Sequence, residues 1–169
     1  MKITIVGAGY VGLSLATLFA QGHQVTIVDI ISEKVDKINQ RISPLKDDLI
    51  SEYFLNKKLN LRATLDLEAA LVDSDYVVIA TPTDYDDQQN YFDTTSVEMV
   101  IRQTLITAPK ATIIIRSTIP VGYTTNVRTL FKFKHIYFSP EFLREGQALY
   151  DNLYPSRIII GGRSSRARR

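Results

Sequence analysis

Four short stretches of the chain carry residue types and spacings able to do chemistry. In the first, Gly7-Ala8-Gly9-Tyr10-Val11-Gly12 follows the apolar run Ile3 to Val6 and opens an apolar helical pattern reaching Leu18 and Phe19; a second apolar run, Val25 to Val28, ends on Asp29. Each glycine has its own job in such a strand–turn–helix–strand unit. Gly7 permits the tight turn out of the strand, Gly9 lets a diphosphate come close to the backbone, and Gly12 lets the helix pack on the strand. The helix N-terminus adds unpaired N–H groups and the positive end of its dipole, both favouring an anion. Asp29 stands near where a dinucleotide fold needs an acceptor for a ribose hydroxyl. The alternative is a purely structural turn, but the glycines sit in the context a dinucleotide site requires. A carboxylate at position 29 would repel a 2′-phosphate, which favours NAD over NADP; Lys34 and Arg41 lie downstream and would soften that repulsion.

The other three stretches each follow an apolar run. Thr83 comes after Tyr76 to Ala80, Thr118 after Ala111 to Ile115, and Ser139-Pro140-Glu141-Phe142-Leu143-Arg144-Glu145-Gly146 after His135 to Phe138. In an open α/β sheet, ligands bind beyond the carboxyl ends of the strands, so all three loops should face the crevice of the glycine turn. A hydroxyl at Thr83 could serve the cofactor, or the segment is an ordinary post-strand turn. Glu141 and Glu145, with Arg144 between them, are compatible with acid–base chemistry; taken alone they equally describe a solvated turn of helix.

Other polar groups point to less. The loop Asp84 to Asp93 holds four acids but lacks the glycine and ligand spacing of an EF-hand, so it reads as solvated and no metal is expected. His23 and His135 have no partner acid at a diagnostic spacing, which leaves an ordinary alcohol or hydroxyacid dehydrogenase without an evident histidine base. The chain contains no cysteine, which removes disulfides, zinc–thiolate sites and thiol nucleophiles together.

The elements that must position these residues follow from hydrophobic period. Apolar runs at 3–6, 25–28, 59–64, 76–80, 111–115, 135–138 and 156–161 read as strands, and helical patterns at 10–19, 32–42, 47–58, 67–72 and 127–131 as helices, with Ser32 as an N-cap. A further helix, capped by Asp93 or Thr94, carries Val97, Val100, Ile101 and Leu105 on one face. The uninterrupted run Tyr-Val-Val-Ile-Ala at 76–80 suits a central parallel strand buried on both faces. This alternation describes an α/β fold, a doubly wound Rossmann-like parallel sheet in a single domain. At 169 residues, 45% of them hydrophobic, the chain is long enough for one sizeable core. No apolar run reaches membrane-spanning length and the start is no signal peptide, so neither membrane nor secretion is expected and a cytoplasmic location is the default. The net charge of +2 arises at the tail, where Arg163, Arg166, Arg168 and Arg169 meet no acid. The body is slightly acidic, and nucleic acid is not an expected partner. The tail reads as the exposed start of a helix cut short.

Taken together, KITIVGAGYVGLSLATLFA, VVIATPTDY, IRSTIPVG and FSPEFLREGQALYDNLYPSRIIIG, in this order, resemble the nucleotide-sugar 6-dehydrogenases across nearly the whole chain. NLYPSRIIIG looks most like the branch acting on UDP-glucose, with UDP-N-acetylmannosamine and GDP-mannose as alternatives. The resemblance implies oxidation of the sugar C6 alcohol to a carboxylate by two NAD and one water, through an aldehyde and a cysteine-bound thioester. Residue by residue, it implies diphosphate contacts at Gly7, Gly9, Tyr10, Val11 and Gly12, adenosine-ribose contacts at Asp29 and Lys34, and a cofactor contact at Thr83. It further implies a catalytic water held by Thr118, a base for thioester hydrolysis at Glu141, a nicotinamide contact at Glu145, and a substrate site along Glu141, Phe142, Leu143, Arg144 and Glu145. The nucleophilic cysteine and the dimer-forming helix of the family have no counterpart here. The expected organisation is therefore an NAD-binding domain over 1–161 and, at 162–169, the start of a linker to a missing carboxy-terminal domain, the parent being a homodimer and this chain inactive alone. The rival reading is a non-catalytic NAD-sensing or protein-interaction module.

Overall fold

A computed structural model describes residues 1–86, 91–162 and 164. Among these residues fifteen elements follow one another: β1 (Lys2–Val6), α1 (Tyr10–Phe19), β2 (Gln24–Val28), α2 (Ser32–Asn39), α3 (Asp48–Asn56), β3 (Leu61–Thr64), α4 (Leu67–Leu71), β4 (Tyr76–Ile79), β5 (Tyr85–Asp86), β6 (Tyr91–Phe92), α5 (Thr95–Thr107), β7 (Thr112–Ile115), α6 (Tyr123–Leu130), β8 (Ile136–Phe138) and α7 (Ala148–Leu153). Six strands form one sheet in the order β3-β2-β1-β4-β7-β8, and every pair in it is parallel. Val6 pairs with Val28 on one side and Ile79 on the other, and Ile79 with Ile115, which pairs with Phe138. The carboxyl ends are thus flush, and every loop leaving them starts at one edge.

Strand alternation divides the core between the two faces of the sheet. Ile3, Ile5, Val25, Ile27 and Val78 point toward Leu13, Ile50 and Phe54 of α1 and α3, whereas Val6, Val28, Val77, Ile79, Ile113 and Ile115 meet Val97, Ile101 and Val127 of α5 and α6. Each such side chain contributes about 1.5–3 kcal/mol on burial. In β4, Val77, Val78 and Ile79 are all nearly inaccessible, as the uninterrupted apolar run requires of a central strand. Thr4, buried in β1, directs its hydroxyl to Ala70 O at 2.7 Å and meets Ser74 Oγ at 2.8 Å, so its polarity is satisfied.

Several expectations are corrected. Ser32 is not an N-cap: it lies inside α2, whose capping position is Ile31, and the helix ends at Asn39 rather than 42. The run at 156–161 is not a strand. Ile158, Ile159 and Ile160 satisfy the apolar pattern but stay exposed, and the segment reaches β8 through Gly161 N donating to Phe138 O at 2.8 Å. Glu141 to Glu145 are in an irregular loop rather than a turn of helix, and the helix that follows, α7, has no counterpart in the sequence reading. The acidic stretch contains the two-stranded β5–β6 hairpin, with 87–90 outside the described residues. The tail positions 163 and 165–169 are also outside them.

Candidate functional site

The strand order reverses between β1 and β4, which is where an open parallel sheet leaves a crevice. The glycine turn forms one wall. Gly7 adopts φ +105°, and a Cβ there would sit 2.3 Å from Ala80 O, so only glycine lets the turn pass against the loop after β4. At Gly12 a Cβ would fall 1.8 Å from Gly7 O and 3.4 Å from Ile5 Cγ2, so the missing side chain is what lets α1 pack on β1. Gly9 differs: a Cβ there would meet nothing within 4 Å. Space is left above the backbone at the glycine expected to let a diphosphate come close.

The N-terminus of α1 is chemically unfinished. Its capping residue, Gly9, supplies no side chain and the first turn has no acid, while α3 and α4 are capped by Asp47 and Asp66. The first N–H groups of any helix lack intrahelical partners, so α1, with Tyr10, Val11 and Gly12 in its first turn, offers donors and a positive dipole end to an outside anion. Asp29 bounds this wall. Its Oδ2 accepts Ala8 N at 2.7 Å, its Oδ1 accepts Ile31 N at 3.0 Å, and Lys34 Nζ lies 3.8 Å from Oδ2. Arg41 is turned elsewhere, donating to Ile38 O, Leu59 O and Leu61 O; the expected softening of the Asp29 charge therefore falls to Lys34 alone of the two.

The loops after β4 and β7 form the opposite wall and are joined. Thr83 Oγ1 donates to Thr118 O at 2.7 Å, which brings together two candidate residues from separate strands. Beneath them Ser96 Oγ donates to Thr81 Oγ1 at 2.9 Å and lies 3.1 Å from Pro82 O, while Thr81 Oγ1 and Ser117 Oγ are 3.5 Å apart. Thr81, Ser96 and Ser117 are additions to the expected site residues; Thr81 and Ser117 stand next to candidate loops in the sequence, whereas Ser96, in α5, carries no local signal. The third loop leaves β8. Arg116 at the end of β7 donates to Ser139 Oγ at 3.1 Å, and burial pushes its guanidinium pKa down while the charge of Glu141 opposes that shift. Glu141 is half-buried and Glu145 exposed. Arg144 is clasped to Asp151 by Nη2 at 2.7 Å and Nε at 3.1 Å. Phe142 and Leu143 reach a cleft of about 250 Å³ with Leu15, Val78 and Ile114, lying under the loop and apart from the glycine turn.

His23 and His135 precede β2 and β8 and so belong to the opposite edge of the sheet. The expectation that no Tyr-x-x-x-Lys spacing is present is corrected: Tyr53 and Lys57 have it and close α3, with the Lys57 ammonium 5.6 Å from the ring centroid, leading toward β3 at that same far edge. Among the described residues no cluster of His, Cys, Asp or Glu could hold a metal ion, and no helix is long and apolar enough to cross a membrane. The glycine turn, the uncapped helix and the acid at the end of β2 fit a dinucleotide.

The family model for the NAD binding domain of the UDP-glucose/GDP-mannose dehydrogenase family matches residues 1–169. A UDP-glucose 6-dehydrogenase of Streptococcus pneumoniae is 55% identical over 161 residues, covering 95% of this chain and 41% of the relative. One of Campylobacter jejuni is 50% identical over 166 residues, covering 97% and 42%. Among solved structures, a GDP-mannose dehydrogenase ternary complex from Pseudomonas aeruginosa superposes with a TM-score of 0.87 at 29% identity, over 99% of this chain and 42% of that one. A UDP-glucose dehydrogenase from Pyrobaculum islandicum gives 0.84 at 28%, over 98% and 41%. The chain thus spans about two fifths of the length of the relatives it matches.

Proposed function

Because the chain belongs to the UDP-glucose/GDP-mannose dehydrogenase family, as its NAD-binding domain, we propose that it is the cofactor half of an enzyme oxidising C6 of UDP-glucose to the carboxylate. The observation that carries this reading is the open space over Gly9 beside an uncapped helix and the Asp29 carboxylate. The N–H groups of Tyr10, Val11 and Gly12 bind the diphosphate, with Gly7 and Gly12 holding the turn. Asp29, with Lys34 beside it, orients the adenosine ribose, and its charge excludes a 2′-phosphate. NAD, when bound, supplies the hydride acceptor.

Thr83 lines the cofactor side of the crevice, its hydroxyl donating to Thr118 O and keeping its lone pairs for an N–H of the ligand. Thr118 orients a water, and Glu141 takes a proton from it. Glu145 faces the nicotinamide end, and the main chain from Glu141 through Phe142, Leu143 and Arg144 receives the sugar nucleotide. With no cysteine in the chain, the nucleophile has to come from polypeptide outside these 169 residues. The assignment therefore makes 1–161 the cofactor domain and 162–169 the way toward a carboxy-terminal domain, in a cytoplasmic homodimer. The high identity to relatives named UDP-glucose 6-dehydrogenase favours UDP-glucose over GDP-mannose. A stopped assay of the 169-residue chain with NAD and UDP-glucose is expected to yield no NADH, and calorimetry is expected to show NAD binding. Steady NADH production by the chain alone would overturn the placement of the nucleophile outside it.

A further inference from the structure

The segment from Ser139 to Gln147 contains Glu141 and Glu145 but no regular helix or strand. Without a ladder of its own, most of its main-chain groups need partners other than a regular helix or strand. Two carboxylates outside the proposed chemistry hold this segment and the helix that follows it: Asp151 bonds the segment itself, and Asp47 the start of α7. Asp47, only 2% exposed, accepts Ile50 N at 3.1 Å and Leu149 N at 3.3 Å, so one side chain caps α3 and fixes the first turn of α7. Asp151, in the same first turn of α7, reaches back over the loop. Its Oδ2 accepts the main-chain N–H of Arg144 at 2.8 Å and Arg144 Nε at 3.1 Å, while Oδ1 accepts Nη2 at 2.7 Å. Gln147 N then donates to Arg144 O at 3.1 Å, closing the loop behind the clasp.

The two side chains differ in setting. That of Asp151 is 15% exposed and anchored in a helix, whereas that of Arg144 is 64% exposed. The bond from Asp151 to the Arg144 backbone therefore needs no particular side chain at 144, and the guanidinium reinforces it. We propose that Asp151 is a positioning residue for the crevice: by accepting the Arg144 N–H it holds the loop from Glu141 so that Glu145, the next residue, meets the nicotinamide end of the dinucleotide. The Arg144 side chain serves this clasp instead of reaching for a ligand. Ordering the loop before binding removes an entropic cost that binding would otherwise have to meet. The inference rests on the NAD-binding reading.

The test compares NAD with ADP-ribose, which shares the diphosphate and both riboses but lacks nicotinamide, by calorimetry on the 169-residue chain. With Asp151→Ala, which removes the acceptor of all three Arg144 hydrogen bonds, NAD affinity is expected to fall on the order of tenfold, with ADP-ribose affinity held within about twofold. Asp151→Asn keeps an acceptor for the Arg144 N–H and is expected to restore NAD affinity to within about threefold of wild type. Equal losses for NAD and ADP-ribose would mark a merely structural role and overturn the proposal, as would an unchanged NAD affinity. Hydrogen exchange on the unmutated chain gives a reading independent of variant folding: the Arg144 amide is expected to be protected at neutral pH, and exchange at the free-peptide rate would overturn the clasp. If the unmutated chain bound neither ligand while that amide was protected, the NAD reading would fail and the clasp would stand.

Discussion

Asp29 Oδ2 accepts the main-chain N–H of Ala8 at 2.7 Å, tying the end of β2 to the glycine turn after β1. The carboxylate proposed to take the ribose hydroxyls also braces the turn proposed to take the diphosphate. Its substitution therefore acts on fold and ligand together. Asp29→Ala should cost about 1–3 kcal/mol of stability, the penalty for removing a charged acceptor from a part-buried donor, and weaken NAD binding as well. Asp29→Asn keeps an acceptor for Ala8 N, so its melting temperature should stay closer to wild type while discrimination against NADP shrinks. An NADP affinity unchanged in Asp29→Asn would count against the charge as the discriminator.

The glycines separate folding from binding. Gly12→Ala drives a methyl group into Gly7 O and should destabilise by about 3 kcal/mol or more, at or beyond the upper end of overpacking costs. Gly9→Ala meets no atom within 4 Å and should melt like wild type, yet lose NAD affinity because the methyl occupies the space left for the diphosphate. Chemical denaturation and NAD titration of the two variants side by side check both statements; a Gly9→Ala variant with full NAD affinity would move the diphosphate elsewhere.

Asp47 joins two helices distant in sequence through Ile50 N and Leu149 N. Asp47→Ala should cost about 1–3 kcal/mol from the donors left unpaired. Urea unfolding measures it, and a midpoint equal to wild type would show that the bond to Leu149 is not maintained.

The clasp of Arg144 and Asp151 sets a pH dependence. Hydrogen bonds from Arg144 hold the Asp151 carboxyl below its ordinary 3.8, so the folded chain binds this proton less readily than the unfolded one. Stability from the pair is then complete above the ordinary value and is lost as pH falls through the lowered one. The reciprocal rise at Arg144 lies at strongly alkaline pH. Melting curves between neutrality and acid should show a shallower decline for Asp151→Asn than for wild type; parallel declines would contradict the pairing.

Much of this was legible in the sequence because β1, β2 and β4 are patterned by burial on both faces and the glycines by backbone sterics, both of which act locally. The flush carboxyl edge followed from the parallel order. What was not legible depends on contacts between distant segments. Whether Ile158 to Ile160 pair as a strand depends on how β8 is edged, not on their apolar run. That Arg144 turns to Asp151, and Asp47 to Leu149, is invisible until the loop after β8 lies over α3 and α7. Arg41 turns away from Asp29 for the same reason: its carbonyl partners are Leu59, just before β3, and Leu61, its first residue.

The most direct test of the central claim is a calorimetric titration of the 169-residue chain with NAD and, separately, NADP. The geometry of the glycine turn, the uncapped α1 and Asp29 predicts one NAD per chain, with NADP weaker on the order of tenfold, about 1.4 kcal/mol. Absence of NAD binding by the folded chain, or NADP binding as tight as NAD, would contradict it.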